Sequence, residues 1–113
     1  MANHLFVCTA NIQRSKTAED YLTKLYSQHS FKSAGTNQQI CGQYNTTLLT
    51  PEMLEWADTV WVMEQKHADR IKQHTQDQYI NKIKVLDIED IYPYNSPALI
   101  ELLSQKVTKH LFS

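Results

Sequence analysis

Cys8 and Arg14 lie six positions apart, between an apolar run that predicts a strand and a periodic pattern that predicts a helix. Peptide N–H groups between a strand end and a helix start can turn inward around a tetrahedral oxyanion, since unpaired N–H groups and the positive end of the helix dipole point to one place. The same field favours a cysteine thiolate, the nucleophilic form. The planar guanidinium of Arg14 can hold two phosphate oxygens at once. We therefore predict an anion-binding loop with Cys8 as nucleophile and Arg14 as clamp, and with these loop residues as ligands: Thr9, Ala10, Asn11, Ile12 and Gln13.

A simpler interpretation makes Cys8 a small apolar side chain buried at the end of a strand. The chain holds only two arginines and two cysteines, so a cysteine and an arginine at this spacing are uncommon by chance. Cys41 has Thr47 at the sixth following position and no basic residue around it. We predict no role for Cys41 in the site.

The elements that must position these residues alternate between strand and helix, which predicts a parallel sheet covered by helices on both faces. The predicted strands are residues 4–8, 31–34, 59–63 and 83–86, and the predicted helices are residues 14–27, 51–56, 64–74 and a last one from residue 97. Residues 36–49 show little periodicity and predict a loop over one end of the sheet. The predicted fold class is α/β, an open four-stranded parallel sheet in a doubly wound arrangement.

Ligands of such a sheet bind beyond the carboxyl ends of the strands, where the strand order reverses. Cys8 stands at one such end, and residues 87–94 follow the fourth strand, so we expect them to form the other wall of the same crevice. Attack of a thiolate on phosphorus is faster when an acid protonates the leaving oxygen. Asp90, in this segment, is the best candidate for that acid.

The composition fits one compact domain over residues 1–113, with 42% hydrophobic and 20% charged residues. A net charge of −1 with scattered lysines leaves no basic patch, so we expect neither nucleic acid nor a membrane as partner. No apolar span or signal pattern is present, and the two cysteines form no disulfide or CxxC pattern, which predicts a cytoplasmic protein. The five histidines lack ligand spacing, so no metal or other cofactor is predicted.

Four stretches of the chain together resemble the low-molecular-weight protein tyrosine phosphatase family, in order and over nearly its whole length: residues 7–15, residues 33–36, Val62-Met63 with His67, and residues 87–92. The resemblance implies the same doubly wound fold and no cofactor. It also implies hydrolysis of phosphate monoesters, typically phosphotyrosine in a protein or a small aryl phosphate, through a phosphocysteine intermediate.

By position in the family motif, Asp90 is the general acid and Ser15 is the serine that donates to the thiolate. Asn11 matches an asparagine that braces the loop, and because asparagine tolerates left-handed backbone, it can relieve the turn there. Tyr92 follows the acid at the spacing of a ring that stacks on a phenyl substrate. Many members carry glycine at Ala10, a second cysteine at Gln13 and Asp-Pro where this chain has Asp90-Ile91.

Several points stay open at this level. Asp87 is the competing acid, although it is better placed as the end of a strand, and the roles of Tyr44 and His67 are undetermined. An arsenate reductase of the same fold uses the same loop but needs two further cysteines, and this chain has only Cys41. A phosphocysteine carrier of the sugar phosphotransferase type, or a module that binds phosphate or phosphotyrosine without hydrolysis, is also compatible with parts of the pattern. The oligomeric state is not indicated.

Overall fold

The computed structural model describes residues 2–111, and its centre is a sheet of four parallel strands. The strands are β1 (Asn3–Cys8), β2 (Ser30–Gly35), β3 (Thr59–Val62) and β4 (Ile83–Val85). Their order in the sheet is β2-β1-β3-β4, so the chain winds outward from β1 first to one side and then to the other. The predicted fold class is confirmed. Each end of each strand either agrees with the prediction or differs from it by one residue.

Helices cover both faces of the sheet. Helices α1 (Arg14–Leu25) and α5 (Pro97–Leu111) contribute to one apolar cluster, and α3 (Pro51–Trp56) and α4 (Gln65–Thr75) contribute to the other. Successive residues of β1 alternate between the clusters, since Leu5 and Val7 belong to one while Phe6 and Cys8 belong to the other. Because both faces are buried, residues 5–8 of β1 are continuously apolar, as is usual for a central parallel strand.

The prediction of a loop over residues 36–49 is wrong, because α2 (Gln38–Tyr44) lies within it. Asn37 caps this helix by accepting from the Ile40 N–H, and Asn45 ends it in a left-handed conformation with φ 56°. Only Cys41 is buried in α2, so the helix has too short an apolar stripe to show as periodicity.

A proline opens both α3 and α5, as the Thr50-Pro51 and Ser96-Pro97 pairs predict. A short 3₁₀ turn (Ile80–Lys82) leads into β4. Among the residues described, no helix is long and apolar enough to cross a membrane.

Candidate active site

The loop between β1 and α1 lies at the carboxyl edge of the sheet, next to the point where the strand order reverses. Cys8 is the last residue of β1 and is 3% exposed, and α1 begins at Arg14. Gln13 precedes the helix without capping it through its side chain. The first N–H groups of α1 therefore remain available to a ligand in the loop.

Three successive carbonyl groups of the loop point away from its interior. The Cys8 carbonyl accepts from the Thr36 N–H at 2.9 Å, and the Thr9 carbonyl accepts from the Asn37 N–H at 3.0 Å. The Ala10 carbonyl accepts from the Thr46 hydroxyl at 2.6 Å. No peptide bond among the described residues is cis, so the N–H group of each following residue points to the opposite side.

That opposite side is where the thiol lies. The Asn11 N–H donates to the Cys8 Sγ at 3.3 Å, so the inward face of the loop carries a donor aimed at the sulfur. Asn11 itself adopts the left-handed conformation that its residue type permits, with φ 56°. The loop thus forms a concave set of N–H groups around Cys8, the arrangement that binds anions elsewhere in proteins.

A side-chain network holds the sulfur and the loop together. The Asn11 amide nitrogen donates to the Ser15 Oγ at 2.8 Å, and its Oδ1 accepts from the Thr47 N–H at 3.3 Å. The Ser15 Oγ lies 3.0 Å from the Cys8 Sγ and 3.4 Å from the Ala34 carbonyl. When Cys8 is a thiolate its sulfur can only accept, and the Ser15 hydroxyl at 3.0 Å is then placed to donate to it.

Arg14 is buried and held on one side only. Its Nη1 donates to the Glu64 Oε1 and, at 2.8 Å, to the Ile88 carbonyl. Partial burial would raise the pKa of Glu64, but the hydrogen bond and charge of Arg14 lower that pKa below its ordinary value. Glu64 is therefore ionised near pH 7 and fixes the guanidinium.

The other edge of the Arg14 guanidinium, formed by Nε and Nη2, makes no hydrogen bond to any residue that the structure describes. Its one charged neighbour there is Asp90, whose Oδ1 lies 3.6 Å from Nε. The Asp90 carboxylate is 56% exposed. The paired donors of this edge are the part of arginine that grips two oxygens of a carboxylate or phosphate.

His67 braces the loop from the side of α4. Its Nδ1 accepts from the Glu64 N–H at 3.1 Å, which places the ring proton on Nε2, 3.0 Å from the Thr9 Oγ1. Burial, and after it the positive charge of Arg14, lower the pKa of His67 to about 4. The ring is therefore neutral near pH 7 and donates to Thr9.

Gly35 lets the end of β2 approach the back of the loop. A Cβ atom at this position would lie 2.7 Å from both the Thr9 carbonyl oxygen and the Cys41 Sγ. Cys41 is buried there and its Sγ lies 3.6 Å from the Ala10 carbonyl oxygen. The two thiols are thus on opposite sides of the loop, and both are free.

The structure brings most of the predicted site residues together. Ser15 contacts Cys8 directly, and Asp90 reaches the same centre through Arg14. Tyr92 is half-buried and packs against the apolar cluster that contains Cys8.

Two residues whose roles the sequence left open lie elsewhere. Asp87 lines a separate cavity against α5 with Lys106. Tyr44 is exposed at the end of α2.

Among the described residues, no group of three side chains could hold a metal ion.

Three residues that support the loop or Arg14 were not predicted from the sequence: Glu64, Thr46 and Gly35. Glu64, which holds Arg14, directly follows β3, so the rule that strand ends converge at one edge was a signal for it. Thr46 lacks any such signal, because α2 was not predicted. Gly35 directly follows the predicted strand over residues 31–34, but its contact with the loop depends on packing.

The chain has the fold of the low-molecular-weight protein tyrosine phosphatases. A tyrosine phosphatase, AmsI of Erwinia amylovora, superimposes with a TM-score of 0.79 at 22% identity, over 99% of this chain and 93% of that one. The low-molecular-weight protein tyrosine phosphatase SP-PTP of Streptococcus pyogenes gives 0.75 at 19% identity, over 99% and 92%. The YwlE arginine phosphatase of Geobacillus stearothermophilus gives 0.67 at 23% identity, over 99% and 96%. Neither the models of known protein families nor the curated proteins give a match to this sequence.

The two glycines of the chain provide a matched test of the packing behind the loop. We expect Gly35→Ala to reduce the free energy of unfolding by about 1–3 kcal/mol, because the added methyl group overlaps the loop backbone. The affinity for inorganic phosphate should fall as well. Gly42→Ala has open space around it within α2 and should raise the stability by about 0.5–1 kcal/mol through helix propensity. Urea unfolding and calorimetric titration with phosphate measure both, and unchanged phosphate affinity in Gly35→Ala would contradict the role of this contact.

Proposed function

We propose that this protein is a cysteine-dependent phosphate monoester hydrolase that acts on phosphotyrosine in proteins or on small aryl phosphates. The observation that carries the proposal is the loop whose N–H groups face the Cys8 Sγ, beside the free edge of Arg14. A phosphoryl group in that loop would lie against a nucleophile, several N–H donors and a guanidinium. The shared fold with tyrosine and arginine phosphatases supports the same class of chemistry.

Binding uses donors of the site that protein groups hold weakly or not at all. The non-bridging oxygens of the phosphoryl group accept from the inward N–H groups of the loop and from Nε and Nη2 of Arg14. The Asp90 carboxylate, which lies 3.6 Å from Nε, leaves this position to the phosphate. Glu64 keeps Nη1 in place throughout, so the clamp is oriented before the substrate arrives.

Phosphoryl transfer then proceeds in two steps. The Cys8 thiolate attacks phosphorus, the P–S bond forms, the bond to the leaving oxygen breaks, and Asp90 donates its proton to that oxygen. Asp90 enters the first step as the carboxylic acid and leaves it as the carboxylate. In the second step, water attacks phosphorus while the Asp90 carboxylate takes a proton from it, which restores the acid, and the P–S bond breaks to release inorganic phosphate and the Cys8 thiolate. The Ser15 hydroxyl lies 3.0 Å from the Cys8 Sγ and donates to the thiolate, which stabilises it as nucleophile and as leaving group.

Aromatic substrates fit the surroundings of the loop better than phosphorylated guanidinium groups. Ile12 and Tyr92, both half-exposed, supply apolar surface on the loop and on the segment after β4. A phenyl ring gains from such contacts, whereas a guanidinium needs hydrogen-bond acceptors for its N–H groups. Relative kcat/KM values for a phosphotyrosine peptide and a phosphoarginine peptide of the same sequence test this preference.

The position of Cys41 argues against an arsenate reductase. Electron transfer from Cys8 requires a second thiol that can reach its sulfur to form a disulfide. Cys41 lies behind the loop, next to the Ala10 carbonyl and away from the face that carries Cys8. A phosphocysteine carrier is disfavoured for a different reason, because Asp90 beside the site would promote hydrolysis of the intermediate.

Cysteine variants test the nucleophile directly. We expect Cys8→Ser to abolish hydrolysis of para-nitrophenyl phosphate, because the hydroxyl is a far weaker nucleophile, while inorganic phosphate still binds to the loop and Arg14. Cys41→Ser is the matched control and should retain the activity. Release of para-nitrophenol gives the rates and calorimetry gives phosphate binding. Hydrolysis by Cys8→Ser near the rate of the unmodified protein would exclude the covalent mechanism.

The general acid is tested through the leaving group. Asp90→Asn should slow hydrolysis of phenyl phosphate by about 100-fold or more, because phenolate leaves slowly without a proton. The loss should shrink for aryl phosphates with more acidic phenols, and Asp87→Asn should have little effect on any of them. Rates across a series of phenols measure the slope. An equal loss for every phenol would indicate damaged binding instead, and no loss would remove Asp90 from the mechanism.

A further inference from the structure

A cavity of about 260 Å³ opens directly beside the loop, on the side of α4. Its walls come from the loop, from the segment after β2 and from the first turns of α4: Thr9, Thr36, Asn37, Lys66, His67 and Arg70. Thr9 belongs to the loop, and His67 donates to its hydroxyl. A ligand in this cavity would therefore contact the loop that holds Cys8.

The cavity is positively charged near neutral pH. Lys66 and Arg70 are four residues apart on α4 and so share one face of the helix. None of the six described residues that form its walls is acidic. The Lys66 Nζ lies 3.9 Å from the Glu64 Oε1, but that carboxylate is already bound by Arg14. Arg70 makes no ion pair or side-chain hydrogen bond within the part of the chain that the structure describes, and it is exposed.

A second cavity of about 260 Å³ lies next to the first. Thr36 and Arg70 contribute to the walls of both, so the two cavities adjoin, and we refer to them together as the groove. The second cavity is largely apolar, with walls that include Leu48, Leu49, Pro51, Leu54 and Ile71. A basic cavity beside an apolar one offers more contacts than a free anion can use, which favours a peptide chain.

We propose that this groove binds the polypeptide next to the phosphorylated residue of a substrate, and that Lys66 and Arg70 select an acidic side chain in it. The inference rests on the proposed function, because it places the phosphorylated side chain in the loop. It adds a substrate class that the catalytic residues do not define: phosphoproteins with Asp or Glu within about three residues of the phosphotyrosine. Small aryl phosphates do not extend into the groove, so changes in the groove should not alter their kcat/KM.

A set of phosphotyrosine peptides and two charge-reversal variants, Arg70→Glu and the control Lys24→Glu, test the proposal. We compare kcat/KM for phosphotyrosine peptides that carry a single Glu, or Gln in its place, at each of the three positions on either side. The unmodified protein should prefer Glu over Gln about 3–10-fold at one or two positions, as expected for a partly exposed charge pair, and the preference should shrink at high salt. Arg70→Glu should abolish or invert this preference and leave kcat/KM for para-nitrophenyl phosphate unchanged.

Lys24→Glu is the matched control, because it makes the same change of charge on α1, which covers the other face of the sheet. It should keep the Glu preference of the unmodified protein. Arg70→Gln, which removes the charge without reversing it, should give an intermediate preference and guards against a folding defect in Arg70→Glu. Equal kcat/KM for Glu and Gln peptides at all positions would overturn the proposal, as would an unchanged preference in Arg70→Glu.

The test also separates this inference from the catalytic one. If neither para-nitrophenyl phosphate nor any peptide is hydrolysed, the proposed function fails, and the Glu preference is then measured as the Kd of the same peptides for Cys8→Ser by calorimetry. A Glu preference in Kd that Arg70→Glu removes, in the Cys8→Ser background, would support the groove even without turnover. Peptide affinities that do not distinguish Glu from Gln would reject the groove independently of catalysis.

Discussion

The orientation of three peptide groups in the loop after β1 is the constraint on which the site depends. The carbonyls of Cys8, Thr9 and Ala10 all accept hydrogen bonds from residues 36–46, so the N–H groups that follow them point away from that segment, and the Asn11 N–H donates to the Cys8 Sγ. One such hydrogen bond contributes only about 1 kcal/mol net, but a buried carbonyl left without a partner costs about 1–3 kcal/mol. Reversal of the peptide planes is therefore unfavourable, and the donors are oriented before any anion arrives.

This constraint explains why a helix without a substantial apolar face lies next to the loop. Helix α2 brings Thr46 and the buried Cys41 to the loop carbonyls, and its cap residue Asn37 also donates to the Thr9 carbonyl. Gly35 allows β2 to end in contact with the same backbone. The segment from β2 to α3 thus serves as the support of the loop, at the carboxyl ends of β1 and β2.

Charge balance imposes a second requirement. Arg14 is buried, and an unpaired buried guanidinium would be costly, so Glu64 and the Ile88 carbonyl hold one of its terminal nitrogens. The opposite edge is left to Asp90 at 3.6 Å, a contact that an incoming anion can replace. The same acidic residue is therefore a partner of Arg14 in the free protein and, in the proposed reaction, the proton donor to the leaving group.

Much of this arrangement could be predicted from the sequence because it is local. The alternation of strand and helix, the six-residue spacing of Cys8 and Arg14, and the left-handed conformation of Asn11 all follow from residue type and order. Contacts between residues distant in the sequence could not be predicted in this way. Helix α2 has one buried residue and hence no period to detect, and the pairing of Glu64 with Arg14 joins residues 50 positions apart. The tautomer of His67 depends on its two partners, which only the packed structure defines.

The central claim is that the phosphoryl group passes through Cys8. The most direct measurement is to quench the protein in acid during turnover of para-nitrophenyl phosphate, digest it, and locate any covalent phosphate by tandem mass spectrometry. The account predicts phosphate on the peptide that contains Cys8, as a thiophosphate ester that appears within the first turnover and disappears when the substrate is consumed. Phosphate on any other residue, or steady release of para-nitrophenol without any phosphorylated peptide at any quench time, would contradict it.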